Sequence, residues 1–384
     1  MKNSSSVNLP IGIALLPIIF LVLLLSINVF IYGDDSLNGT NQFILILSGL
    51  FGASIGFIYK VSYKDILTSI SNSVKSVTGA LLILLFVGAL AGTWMISGII
   101  PSMVYYGLKI LDPNIFLPAC IIICSIISVA TGSSWTTSAT VGIALVGIGQ
   151  ALGISAGMVG GAVISGAYFG DKLSPLSDTT NLAAAVTKVD LFKHIKYLTY
   201  TTIPSITITF IVFIILGFLQ VSDGSTDNTY LLSAISEKFN ISLVLFIVPL
   251  LVLIMIIKKT PPLIALVIGT LTGALFSIIF QPQIISELSS GSNSKLVNTY
   301  VVIMDTITGP ISIETNNDLL NDLFSTGGML GMLNTIFLVI GTMVFGGVMD
   351  AIGALKTISK TLLKWANTSF KLFASTVASC LALN

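Results

Sequence analysis

The stretch Thr131-Gly-Ser-Ser-Trp-Thr-Thr-Ser-Ala-Thr140 interrupts a chain that is otherwise built of bilayer-length apolar segments, and seven of its ten residues carry a hydroxyl group. A second polar stretch, Gly170-Asp-Lys-Leu-Ser-Pro-Leu-Ser-Asp-Thr-Thr-Asn181, places carboxylates, hydroxyls and an amide around a proline. A continuous lipid-facing helix suits neither stretch, because polar groups in lipid need internal partners and proline removes a helical hydrogen bond. We therefore expect interrupted helices at both places.

Composition places the chain among polytopic membrane proteins: 54% of the residues are hydrophobic, 9% are charged, and the mean hydropathy is +1.01. A helix needs about 20 apolar residues to span a bilayer. Runs that approach this length lie at residues 11–31, 43–59, 79–100, 115–130, 199–219, 241–257, 262–280 and 330–349. Two shorter Gly/Ala-rich pieces between Thr140 and Phe169 suit half-helices or a re-entrant hairpin. The sequence predicts an all-α fold in the lipid bilayer, with broken or re-entrant helices.

The lysines predict the topology, because cytoplasmic loops of membrane proteins are rich in positive charge. A cytoplasmic amino terminus places 14 lysines inside and leaves Lys109, Lys238 and Lys295 outside. This distribution predicts a multi-pass protein of the cytoplasmic membrane. The formal net charge of +1 implies no nucleic-acid partner.

The chain also contains a weak internal repeat. Gly92-Thr-Trp-Met-Ile-Ser-Gly98 matches Gly341-Thr-Met-Val-Phe-Gly-Gly347 at an offset of 341 − 92 = 249. The lysine pattern sends the run at residue 11 outward and the run at residue 241 inward, so the halves have opposite orientation. We predict inverted-topology repeats at residues 1–235 and 236–384, an architecture typical of secondary transporters that bind near the membrane midplane.

Oxygen-rich breaks of this kind predict a site for a hard cation. Na⁺ prefers several oxygen ligands, which hydroxyls and freed carbonyls supply, and a buried carboxylate can exchange the cation for a proton. We rank Asp178 first and Asp171 second as that carboxylate. The other predicted binding residues are Thr131, Ser133, Ser134, Thr137, Ser174, Ser177, Thr179, Thr180 and Asn181. For Na⁺ itself we select Asp178, Thr179, Asn181 and Ser134.

Purely structural roles remain open for the same residues. The hydroxyls can bond back to their own helix or allow close helix packing. The two aspartates can belong to a cytoplasmic loop paired with Lys172, and Asp350 can be an interfacial acid paired with Lys356 or Lys360.

The residues as a set resemble the NhaC family of Na⁺/H⁺ antiporters. The resemblance rests on Gly161 to Ala183, on Thr131 to Trp135 before it, on Val189 to Ile195 after it, and on the later stretch Leu323 to Met332. It implies a transporter, not an enzyme, that exchanges Na⁺ for H⁺ without a cofactor. The family also contains exchangers that couple malate and lactate to Na⁺ and H⁺.

The same resemblance implies that the chain is incomplete. Family members continue into a second polar broken segment, and the repeat offset puts its start at 131 + 249 = 380, close to the last residue, Asn384. We therefore expect part of the second repeat, and with it part of the site, to be missing.

Two alternative functions and the oligomeric state also remain open. A Na⁺/H⁺-coupled exchanger of malate and lactate is compatible with the resemblance, although the chain has no arginine to clamp a carboxylate. An intramembrane aspartyl protease is suggested by Phe169-Gly-Asp171, but it needs a second aspartate that shares a proton, and no full-length apolar run contains one. Association into a homo-oligomer is compatible with the sequence.

Overall fold

The apolar runs fold into α-helices in a computed structural model that describes residues 9–110, 112–175, 177–219, 228–258, 260–289, 294–315, 318–364 and 368–383. The chain divides into two compact units, one made of Met1–Leu82 with Met332–Asn384 and the other of Ile83–Gly331. The predicted repeat halves, 1–235 and 236–384, stay a prediction.

The α-helices in chain order are α1 (Ile11–Tyr32), α2 (Thr40–Ile58), α3 (Tyr63–Ile96), α4 (Ile99–Ile110), α5 (Pro113–Thr131), α6 (Ser134–Thr137), α7 (Ile143–Ala151), α8 (Ala156–Leu173), α9 (Asp178–Thr187), α10 (Leu191–Leu219), α11 (Asn228–Lys238), α12 (Ile247–Ile257), α13 (Pro262–Phe280), α14 (Pro282–Leu288), α15 (Lys295–Thr308), α16 (Asp318–Leu323), α17 (Gly328–Gly331), α18 (Leu333–Ala351), α19 (Ala354–Lys364) and α20 (Ser369–Leu383). A π-helical turn covers Ser138–Gly142, and 3₁₀ turns cover Gly33–Leu37 and Leu243–Phe246. Two short strands, β1 (Ile311–Ser312) and β2 (Ser325–Thr326), pair antiparallel.

Within the described residues, seven helices are long and apolar enough to cross a membrane: α1, α2, α3, α5, α10, α13 and α18. They coincide with seven of the eight predicted runs. The all-α, multi-pass fold class is confirmed. The short strands β1 and β2 were not predicted, because a strand of two residues leaves no recognisable pattern in the sequence.

The eighth predicted run, residues 241–257, is the second arm of a bent pair. Leu231–Lys238 and Leu243–Ile257 meet at 84°. The buried side chain of Gln281 holds the bend, because its Oε1 accepts from the Asn240 backbone N–H at 3.0 Å and its Nε2 donates to the Asn240 carbonyl at 2.9 Å. Up to eight spans result if the pair counts as one.

Small residues set the helix packing inside the first unit. In this unit α2 packs on α18, where Gly49 lies against Phe345 and Gly52 against Val348. Glycine brings the helix backbones close together, which favours association in membranes.

The second unit contains a similar pair. Here α13 packs on the end of α3, where Gly269 lies against Leu90 and Gly273 against Thr93. Trp94 Nε1 donates to the Gly269 carbonyl at 3.2 Å.

The residues that contact the glycines in the two units can be compared by position. Phe345 lies 255 positions after Leu90, and Val348 lies 255 positions after Thr93. Gly98 and Gly353, which follow α3 and α18, both have φ +76° and are also 255 positions apart. The glycines on the other side of these contacts are 220 and 221 positions apart (269 − 49 and 273 − 52), and the sequence match has an offset of 249, so the inverted repeat stays a prediction.

Candidate functional site

The predicted interruption at the hydroxyl-rich stretch is confirmed. Helix α5 ends at Thr131, and Gly132 adopts the left-handed conformation (φ +68°) that commonly terminates helices. The chain resumes as the single turn α6, passes through the π-helical turn Ser138–Gly142 and continues as α7. Such π turns leave the regular hydrogen-bond ladder and are frequent at functional sites. The last carbonyls of α5 are therefore released from helical pairing at this point.

Ser134, the first residue after the break, binds Asp171. The Ser134 side chain is 4% exposed, and its hydroxyl donates a hydrogen bond to Asp171 Oδ2 over 2.9 Å. Asp171 lies in the last turn of α8 and is partly exposed. One carboxylate and one hydroxyl thus face each other at the interrupted helix.

Close packing of α8 on α5 brings Asp171 to this position. A Cβ atom on Gly166 would lie 2.4 Å from the Ile121 carbonyl oxygen, and one on Gly170 would lie 2.5 Å from that of Ser125. Only glycine permits an approach this close. Ser128 also donates from its hydroxyl to the Ala167 carbonyl across the same interface.

The loop after α8 is tied to the end of α5. The Ser174 hydroxyl is fully buried and donates to the Val129 carbonyl at 2.8 Å. That carbonyl is one of the last of α5, where the helix leaves acceptors without helical partners. The second polar stretch therefore begins at the same break as the first.

The predicted binding residues after Ser174 form hydrogen bonds around the start of α9. The Ser177 and Thr179 hydroxyls are 2.9 Å apart, and the Thr180 hydroxyl donates to the Lys172 carbonyl at 3.2 Å. Asn181 Nδ2 donates to the Pro175 and Ser177 carbonyls, at 2.8 Å each. Thr179 and Asn181 are exposed. These contacts stabilise the turn into α9, and none of them joins Ser134.

Two of the predicted binding side chains lie outside the described part of the structure, those of Thr131 and Asp178. The backbone of Asp178 forms the first residue of α9, where a helix N-terminus favours a negative charge. Of the four residues selected for Na⁺, only Ser134 has a described contact with a carboxylate, and its partner is Asp171.

The described contacts bear on the purely structural roles of these residues. The Thr137 hydroxyl donates back to the Ser133 carbonyl at 2.9 Å, as the packing interpretation expects. In the described residues the one ion pair joins Lys238 to Glu287, so the predicted pairings of Asp171 with Lys172 and of Asp350 with Lys356 or Lys360 are not formed. Asp350 instead accepts from the Ser69 hydroxyl at 3.0 Å, a partner 281 positions away in the sequence.

Two cavities in the second unit flank the π-helical turn. One, of about 410 Å³, is lined by Ser138 and Gly142 of the turn, by Gln150, and by Ser325 and Thr326 of strand β2. The other, of about 370 Å³, is lined by Thr140 and Val141 together with mainly apolar residues. The turn therefore forms part of the wall of both cavities. No local sequence pattern predicts Gln150 or β2 at this place, because only the tertiary fold brings them there.

Residues with strong metal affinity are not clustered here. Within the described residues, no three His, Cys, Asp or Glu side chains are grouped so that they can hold a metal ion. A cation at the break would rely on hydroxyl and carbonyl oxygens with a single carboxylate, a donor set that suits a weakly held, exchangeable hard ion.

Comparison with known proteins assigns the chain to a family. The profile of the Na⁺/H⁺ antiporter family matches residues 166–384. A malate-2H⁺/Na⁺-lactate antiporter of Bacillus subtilis is 38% identical over 94% of this chain and 73% of its own length. The NhaC Na⁺/H⁺ antiporter of Alkalihalophilus pseudofirmus is 34% identical over 88% of the chain and 71% of its own length.

The NhaC Na⁺/H⁺ antiporter of Bacillus subtilis is 32% identical over 86% of the chain and 69% of its own length. No solved structure is significantly similar to the chain. The family profile covers Asp171 and the loop after α8, whereas the break between α5 and α6 lies before its first matched residue. The chain therefore belongs to the Na⁺/H⁺ antiporter family, with the NhaC antiporters among its relatives.

Proposed function

We propose that the protein exchanges Na⁺ for H⁺ across the cytoplasmic membrane, with its amino terminus on the cytoplasmic side. The observation that carries the proposal is the hydrogen bond between Ser134 Oγ and Asp171 Oδ2 at the break between α5 and α6. Relatives named as Na⁺/H⁺ antiporters support the same activity.

The chemistry of exchange follows from the charge of one carboxylate. An ionised Asp171 attracts Na⁺, and the Ser134 hydroxyl and nearby carbonyls of the α5 end can add oxygen ligands. A protonated Asp171 is neutral and instead donates its own hydrogen bond. Because a protonated carboxyl group is neutral and no longer attracts a cation, proton and cation occupy it alternately. Competition of this kind produces exchange without a cofactor.

The ranking of the two aspartates is part of the proposal. The sequence places Asp178 ahead of Asp171, and the contact with Ser134 supports Asp171 as the exchanging carboxylate. Asp178 at the first position of α9 would then stabilise that helix through its dipole. The hypothesis that Asp178 carries the ion stays open to the same experiments.

We assign access to the break to the 410 Å³ cavity. Ser138 lies one helical turn after Ser134 and lines this cavity together with Gln150, Ser325 and Thr326. Residues four apart share a helix face. Hydroxyl and amide groups hydrate such a space more readily than an apolar wall does. A hydrated ion would reach Ser134 from this side.

A second candidate is Na⁺/H⁺-coupled exchange of malate and lactate. The similarity to the Bacillus subtilis malate-2H⁺/Na⁺-lactate antiporter favours it. Two observations count against binding of a dicarboxylate in the 410 Å³ cavity. The chain has no arginine, and no charged side chain is among the residues that line the cavity.

Proton movement in proteoliposomes separates the two candidates. Full-length protein is reconstituted with a pH-sensitive dye inside, a pH gradient is imposed, and NaCl or a malate salt of a large organic cation is added outside. We expect Na⁺ alone to dissipate the gradient. Dissipation that requires malate, or malate together with lactate, would overturn Na⁺/H⁺ exchange and support the second candidate.

A further inference from the structure

The cavity of about 370 Å³ beside the π-helical turn is apolar and opens along a membrane helix. Its lining includes Leu243, Ile247 and Leu250 from the arm Leu243–Ile257, and Trp94 and Val141 on the inner side. Thr140 contributes a hydroxyl, and Trp94 has its N–H bonded to the Gly269 carbonyl. No charged side chain is among the lining residues. Apolar cavities stay dry and bind apolar guests.

The arm side of this cavity is apolar and exposed. Leu243, Ile247, Leu250 and Ile254 are exposed by 67%, 55%, 55% and 41%. They recur at intervals of three and four, so they form one stripe along the arm. The opposite stripe, which includes Val248, Val252 and Ile256, is buried in the core of the unit. In a bilayer, acyl chains would cover an exposed apolar stripe on this arm.

The cavity connects this exposed stripe with buried residues beside the bend. The arm Leu243–Ile257 starts at Ser242, turned 84° away from Leu231–Lys238. Residues of the exposed stripe line the same cavity as Trp94, which is 3% exposed, and as Thr140 of the π-helical turn. An apolar chain that enters from the bilayer therefore reaches the wall that the turn forms.

We propose that this cavity is a binding site for one acyl chain of a membrane lipid, inserted between the arm Leu243–Ile257 and the Trp94–Thr140 wall. The site is separate from the proposed ion exchange, since its lining lacks Ser134, Asp171 and any other carboxylate. The acyl chain would support the π-helical turn from the side opposite Ser138.

Tryptophan quenching by brominated lipids tests the proposal. Residues 1–384 contain three tryptophans, so Trp135→Phe/Trp365→Phe, with Phe at any tryptophan outside these residues, leaves Trp94 as the single emitter. This variant of the full-length protein is reconstituted in phosphatidylglycerol/phosphatidylcholine vesicles with either unmodified or brominated acyl chains. Because Trp94 is almost fully buried, bromine contacts it only if an acyl chain enters the cavity. We expect Trp94 emission to be lost in the brominated vesicles.

Two companion variants complete the test. Leu250→Phe/Leu253→Phe in the same background adds bulk inside the cavity and should restore most of the emission. Phe218→Trp with all native tryptophans replaced by Phe reports bulk lipid, since Phe218 is 61% exposed on α10, and should be quenched with or without the two cavity-filling changes. Full emission of Trp94 in brominated vesicles would overturn the proposal. Quenching that the filled cavity does not reduce would overturn it as well.

Discussion

The Ser134 hydroxyl donates to Asp171 Oδ2 over 2.9 Å, although the two residues are 37 positions apart in the chain. Ser134 is the first residue of the short helix after the break, and Asp171 lies in the last turn of α8. Their contact joins the two polar stretches of the sequence at one place, and it depends on the glycine-mediated packing of α8 on α5.

Removing the Ser134 hydroxyl should weaken Na⁺ binding. Hydrogen bonds to charged groups contribute about 1.5–3 kcal/mol, so Ser134→Ala should raise the Na⁺ concentration for half-maximal exchange about 10-fold to 100-fold. Na⁺-dependent proton flux in proteoliposomes measures this. Ser165→Ala is the matched control, because that hydroxyl in α8 donates only to the Gly161 carbonyl of its own helix. Equal apparent affinities in the two variants would contradict the role of Ser134.

The two aspartates should respond differently to conversion to asparagine. Asp171→Asn keeps the size of the side chain but cannot titrate, so exchange should be lost while the protein remains folded. Asp178→Asn should leave exchange in place and reduce the stability of α9 by about 0.3–1 kcal/mol, through the lost charge at the helix N-terminus. Na⁺-dependent proton flux is measured for both variants to identify the exchanging aspartate. Gel filtration checks that each variant is folded. An active Asp171→Asn variant and an inactive Asp178→Asn variant would reverse the roles.

Gly170 should tolerate no side chain. A Cβ atom there would lie 2.5 Å from the Ser125 carbonyl oxygen and 2.7 Å from the Val129 nitrogen, so Gly170→Ala must push α8 away from α5. We expect a loss of about 1–3 kcal/mol of stability, together with weaker Na⁺ binding as Asp171 leaves Ser134. Thermal unfolding of the purified protein measures the first effect. Gly157→Ala, in the same helix with open space around it, should be neutral or stabilising.

The bend between Leu231–Lys238 and Leu243–Ile257 should depend on Gln281. Gln281→Leu removes the side-chain partner of the Asn240 backbone N–H and carbonyl, which should lower the stability by about 0.5–1.5 kcal/mol for each lost hydrogen bond. Gln283→Leu is the control, because Gln283 is exposed on the next helix. Equal unfolding temperatures for the two variants would show that another contact holds the bend.

Features that depend on local sequence were predictable. The spans follow from the length of apolar runs, and the break follows from the run of hydroxyls with Gly132 inside it. Contacts between distant residues were not predictable from local patterns. At the bend, Ser242 is a local N-cap signal for the second arm, but the hydrogen bonds from Gln281, 41 positions away, have no counterpart in the local sequence.

In the candidate site, too, individual residues were predictable from the sequence, but their contacts with distant residues were not. The sequence named Ser134 and Asp171 individually but grouped Ser134 with Asp178, since the α5–α8 packing that selects the partner is a tertiary property. For Asp350, lysines near in sequence were the expected partners, and the fold supplies Ser69 instead. Polar residues such as Ser177 and Asn181 were placed in the ion site by their type, whereas their described contacts stabilise the turn before α9.

Proton release on Na⁺ binding tests the central claim most directly. NaCl is added to full-length protein in weakly buffered detergent solution at a series of pH values, and the released protons are measured with a pH indicator. Since one carboxylate alternates between the two ions, Na⁺ should release protons from the wild type and from Ser165→Ala but not from Asp171→Asn. Undiminished proton release from Asp171→Asn would contradict the account.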